Sequence, residues 1–79
     1  MNYKLFTTTT CQKCPEFKDY VSQNISFEGE LFDEHSKGFG DLAQSFGIIG
    51  APMILIFENN KEIFRTSEVY ALEAFLNET

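Results

Sequence analysis

An unbroken apolar run, Met53-Ile54-Leu55-Ile56-Phe57, constrains this chain more than any other feature. Side chains of a strand alternate between faces, so a run without polar residues predicts a central strand covered on both sides. Gly50 and Pro52 interrupt the wider apolar stretch from Ile48 to Phe57. That stretch is about half of the roughly 20 residues a membrane helix needs. The covering layers must come from 79 residues, which leaves room for a single domain over residues 1–79. A chain this short buries only about 60% of its unfolded surface. Nine Phe and three Tyr concentrate the burial, each aromatic hiding roughly 150–250 Å².

The rest of the chain supplies those layers. Residues 2–7 alternate, with Tyr3 and Leu5 opposite Lys4 and Phe6, and read as a first strand. A helix is expected from Cys11 to about Asn24, with Pro15 in its first turn and an apolar face of Cys14, Phe17 and Val21. Ile25, Phe27 and Leu31 alternate with Ser26, Glu28 and Glu30, which predicts a second strand over residues 25–32. After the polar loop 33–37, Phe39, Leu42, Ala43 and Phe46 fall at helical spacing, with Gly47 where a left-handed cap belongs. Asn59 and Asn60 predict a turn between the apolar run and a short strand at residues 62–66. Ser67 is the expected cap of a last helix facing inward through Val69, Leu72, Phe75 and Leu76. The predicted fold is α/β, in the order β-α-β-α-β-β-α, with helices on both faces of a four-stranded mixed sheet.

Six basic and twelve acidic residues give a net charge of −6. The basic residues are scattered, and polyanions are held by clustered Lys and Arg, so no nucleic-acid or anionic-membrane partner is expected. Met1 to Phe6 contain no basic stretch followed by an apolar one, as a secretory signal would, and the cytoplasm is the expected compartment.

The whole thiol inventory is Cys11 and Cys14. A bridge across two residues closes too short a loop to be an effective staple, which assigns the pair to chemistry. Two intervening residues let the sulfurs form and break a disulfide without large backbone movement. A helix N-terminus favours the thiolate, and Lys13 adds a positive charge. Cys11 is thus the expected attacking thiolate and Cys14, on the apolar helix face, the resolving thiol. The alternative is half of a metal site. A structural zinc site takes four protein ligands, and only His35 remains as a further good nitrogen donor. No metal site and no bound cofactor are expected.

Cys11-Gln12-Lys13-Cys14-Pro15 after a strand, Ala51-Pro52 before the third strand, and the seven-element order together resemble the thioredoxin superfamily. The small size is similar to its glutaredoxin branch, and the resemblance spans essentially the whole chain. It implies a cis bond at Pro52, with Pro52 lying against Cys11 and Ala51 offering backbone groups to an incoming peptide. Glutaredoxins usually carry a basic residue three before the first Cys, where this chain has Thr8. They also carry a Gly-Gly pair after the fourth strand, where it has Ile63-Phe64-Arg65.

Ala51-Pro52 and Phe64-Arg65 look more like the glutaredoxin-like redoxins that supply ribonucleotide reductase with electrons and are recharged by thioredoxin reductase. Those usually have Pro where Thr66 stands, and often Gln directly before the second Cys. What the resemblance implies is a monomeric dithiol oxidoreductase of protein disulfides. Its catalytic residues would be Cys11 and Cys14. Its substrate contacts would come from Thr10, Gln12, Lys13, Ala51, Pro52, Phe64 and Arg65. Glutathione is the alternative electron source, and a metal or iron–sulfur carrier and a redox-regulated binding module are the alternatives to catalysis. His35 reads as a solvated loop residue. Glu28, Glu30, Asp33 and Glu34 read as an exposed acidic face, with a docking patch for a basic partner as the functional alternative.

Overall fold

The computed structural model describes residues 1–78 and contains seven elements: β1 (Asn2–Phe6), α1 (Cys14–Asn24), β2 (Gly29–Phe32), α2 (Phe39–Ser45), β3 (Met53–Glu58), β4 (Lys61–Thr66) and α3 (Val69–Glu78). The sheet order is β2-β1-β3-β4. Parallel pairing sets Tyr3 opposite Gly29 and Phe6 opposite Phe32. Antiparallel pairing sets Phe6 opposite Met53 in β3, and β3 in turn pairs antiparallel with β4. The sheet is therefore mixed, as expected.

The apolar run is central and divides its residues between two cores. Ile54 and Ile56 join Leu5, Phe17, Val21 and Leu72 on the face covered by α1 and α3. Leu55 and Phe57 join Phe6 on the other face, under Phe39, Leu42, Ala43 and Phe46 of the α2 segment. Ile54, Leu55 and Ile56 have no exposed surface. Burial of that kind contributes roughly 1.5–3 kcal/mol per large aliphatic side chain, and strict alternation sends it to both layers.

Several boundaries differ from the sequence expectation, most of them by one residue. α1 begins at Cys14 rather than Cys11, with Lys13 at its N-cap position. A helix continuing back through Cys11 would drive the ring of Pro15 into the carbonyl four residues earlier, which is that of Cys11. β2 begins at Gly29 rather than residue 25. Ile25 is the C-cap of α1, its N–H donating to the Val21 carbonyl at 3.0 Å. Ile25 and Phe27 pack on the core from irregular backbone, so their alternation records burial without ladder pairing. Glu68, not Ser67, precedes the first residue of α3; its carbonyl accepts from Leu72 N–H and its own N–H donates to Thr66 Oγ1 at 3.0 Å.

Two local backbone features match their residues. Asn59 and Asn60 both have positive φ, 53° and 65°, as a two-residue hairpin turn of the right twist requires. Gly47 closes α2 at φ 68°, and Ile48 N–H reaches back to the Ala43 carbonyl at 2.7 Å. That left-handed cap satisfies carbonyls the helix itself cannot.

Candidate active site

The cysteines stand where β1 leaves the sheet. Thr7, the one buried polar residue among those described, anchors the exit. Its N–H and its hydroxyl both donate to the Phe32 carbonyl, at 2.9 and 3.0 Å. The chain then turns through Thr9 and Thr10, with Cys11 N–H donating to the Thr8 carbonyl at 3.3 Å. Thr9 N–H donates to Glu34 Oε1 at 2.8 Å, which ties this loop to the one after β2.

Cys11 and Cys14 are joined as a disulfide with their Cα atoms 5.4 Å apart. Cys11 is half-buried. Cys14, at the first turn of α1, is 1% exposed and shares its helix face with Phe17 and Val21. An external thiolate can thus approach the Cys11 sulfur while the protein shields that of Cys14. The two sulfurs are therefore unequally accessible, that of Cys11 from solvent and that of Cys14 only from within the fold. Cys11 precedes the helix instead of belonging to it, yet the free N–H groups of the first turn of α1 still open toward this loop.

The bond between Ala51 and Pro52 is cis. Met53, the next residue, pairs with Phe6, so Pro52 lies at the sheet end from which the cysteine loop emerges. Pro52 is buried and Ala51 half-buried. Together with Ile49, Gly50, Met53 and Ser67 they line a hollow of about 290 Å³. Thr10, Gln12 and Lys13 are exposed around Cys11.

Phe64 and Arg65 have other engagements. Phe64 stacks on Phe75 of α3 with ring centroids 4.4 Å apart. Arg65 grips Glu62 through Nε at 2.6 Å and Nη2 at 2.7 Å. These bonds hold the Glu62 carboxyl below its ordinary pKa and raise that of the Arg65 guanidinium. The structure brings neither side chain into the hollow; Ser67, just past the end of β4, takes that position. Sequence reasoning treated Ser67 only as a cap, and its place beside Pro52 follows from the pairing of β4 with β3.

Glu34 is a second residue with an unforeseen contact, through Thr9. Nothing in the spacing of two residues 25 positions apart signals that bond. His35 is exposed in the loop after β2, its Nε2 3.9 Å from Glu34 Oε1. No three His, Cys, Asp or Glu side chains among the described residues converge on a metal position. No helix among them is long and apolar enough to cross a membrane.

This architecture is the thioredoxin fold. The structure is similar to thioredoxin O2 from Arabidopsis thaliana, with a TM-score of 0.80 and 12% identity, over 98% of this chain and 72% of that one. It is similar to thioredoxin NaTrxh from Nicotiana alata, with a TM-score of 0.76 and 22% identity, over 98% of this chain and 70% of that one. Thioredoxin 1 from Thermosipho africanus superposes with a TM-score of 0.71 and 16% identity, over 98% of this chain and 88% of that one. No protein-family model matches the sequence, and no curated protein matches it significantly.

Proposed function

We propose that this chain is a thiol–disulfide oxidoreductase that reduces protein disulfides. The observation that carries the reading is the bridge between a half-exposed Cys11 and a buried Cys14 at the mouth of α1, on a thioredoxin fold. In the reduced protein the Cys11 thiolate attacks one sulfur of the acceptor disulfide. The acceptor's S–S bond breaks, a mixed disulfide forms on Cys11, and the leaving sulfur takes a proton. Cys14, deprotonated, then attacks the Cys11 sulfur and expels the second acceptor thiolate. The acceptor gains two electrons and two protons, and the protein returns to the bridged state seen here.

Recharging the bridge requires an external reductant. We assign that role to thioredoxin reductase with NADPH in a cytoplasmic setting, with ribonucleotide reductase as a candidate acceptor. Thr8 at the position where glutaredoxins carry a basic residue supports this choice over glutathione. The test is NADPH consumption with a protein disulfide as acceptor. One reaction contains thioredoxin reductase, the other glutathione with glutathione reductase. Turnover only with thioredoxin reductase is expected, and turnover only with glutathione overturns the assignment of donor. Cys11→Ser should abolish turnover. Cys14→Ser should accumulate mixed disulfides, and their absence would remove Cys14 from the resolving role.

A further inference from the structure

A groove of about 360 Å³ opens between the start of α1 and the start of α3. Its apolar lining comes from Phe17 and Val69, and Tyr70 stands beside them with 73% of its surface exposed. The charges lining it are one ammonium, Lys13, and three carboxylates, Glu16, Glu68 and Glu73. None of these four has an ion-pair partner among the described residues. Lys13 stands between the two cysteines, so the groove begins at the disulfide. Ser67 lines both this groove and the hollow of Ala51 and Pro52, so the two recesses meet at one residue.

Three carboxylates against one ammonium give the groove a negative potential, and the chain's charge of −6 adds to it. A Lys or Arg entering the groove would meet unpaired carboxylates while its methylene stem covers Phe17 and Val69. The exposed ring of Tyr70 offers the same cation a π face. An anionic ligand such as glutathione, with two carboxylates against one ammonium, meets like charge there instead.

We propose that this groove docks a cationic segment flanking the acceptor disulfide, carrying Lys or Arg beside the cysteine that Cys11 attacks. The proposal rests on the thiol–disulfide reading above and names the class of protein acceptor that this site selects.

The test follows oxidation of pre-reduced protein, freed of reductant, by three disulfides. Two are peptides of equal length and identical core, one with Lys flanks and one with Glu flanks; the third is neutral 2-hydroxyethyl disulfide. At an ionic strength of about 0.02 M the basic peptide should react about tenfold faster than the acidic one. At about 0.5 M salt, where the screening length falls to a few ångströms, the ratio should approach one. In the combined variant Glu16→Gln, Glu68→Gln, Glu73→Gln the ratio should collapse already at low salt. Equal rates with both peptides, while the neutral disulfide still reacts, overturn the docking proposal and leave the redox reading standing. A ratio that survives the triple substitution overturns it too, because the selecting charge then lies elsewhere. No reaction with any of the three overturns the redox reading and the docking proposal with it.

Discussion

Reduction of the bridge should cost this protein stability, by an amount the loop size sets. Cys11 and Cys14 are three positions apart, so the bridge closes four residues. In the chain-entropy model a closed loop of four residues removes about 6 cal/mol/K from the unfolded ensemble, or about 2 kcal/mol at 25 °C. The oxidised protein should therefore be about 2 kcal/mol more stable than the reduced one, more than the sequence expectation of a poor staple allows. With a urea slope of about 1 kcal/mol per M for a chain this small, its unfolding midpoint should lie about 2 M higher. By the same thermodynamic cycle the native pair is a stronger reductant than the same two cysteines in the unfolded chain, by about 40 mV. The assay is urea unfolding of oxidised protein and of protein held in a phosphine reductant, followed by far-UV circular dichroism. Cys11→Ser is the control, because Cys11 is only half-buried and Cys14 keeps its place in the core; its midpoint should match that of reduced wild type. A reduced form as stable as the oxidised form, or more so, would refute the reasoning. The native dithiol would then be held by thiolate stabilisation larger than the loop-closure entropy.

Gly29→Ala should destabilise by about 1–3 kcal/mol, since a methyl there would collide with the ring of Tyr3, including its Cγ. A double-mutant cycle with Tyr3→Ala should recover much of that loss, and strict additivity would show that the ring is not the obstacle. Leu72→Ala, at a side chain with no exposed surface under β3, should cost about 2–5 kcal/mol in thermal or urea unfolding; a loss below 1 kcal/mol would mean that α3 collapses onto the vacancy. The folded-state pKa of Glu62 is lowered, chiefly by its hydrogen bonds from Arg65, so the pair's contribution is present above the ordinary carboxylate range and lost as pH falls through that lowered value. Half-exposed as it is, the pair should contribute about 0.2–1 kcal/mol. The stability gap between wild type and Glu62→Gln should therefore shrink on acidification, and a gap independent of pH would refute it.

Much of the fold was legible along the chain because its signals are local. The five-residue apolar run suits a strand covered on both faces, and Ile54 with Ile56 and Leu55 with Phe57 divide between the two cores accordingly. Gly47 and the Asn59-Asn60 pair stand where the backbone needs a left-handed conformation, and the dithiol motif located the disulfide pair. Even the misplaced start of α1 was written in the sequence, since Pro15 forbids a helical turn running back to Cys11.

What only tertiary structure decided are the contacts between distant segments. Ile25 and Phe27 alternate like strand residues, but Tyr3 pairs with Gly29, and the register of β2 against β1 excludes them from the ladder. Ser67 reaches the Pro52 hollow because β4 pairs with β3, and Glu34 holds the cysteine loop because β2 lies beside β1. The motif places Phe64 and Arg65 among the expected substrate contacts, but only the packed structure shows Phe64 stacked on Phe75 and Arg65 paired with Glu62. The acidic groove joins Glu16 of α1 to Glu68 and Glu73 near α3, three residues that no spacing rule connects. Periodicity and turn chemistry depend on a few neighbouring residues, so a sequence displays them directly. Strand register and helix docking depend on which distant surfaces bury the most together, and that is settled only when the whole chain packs.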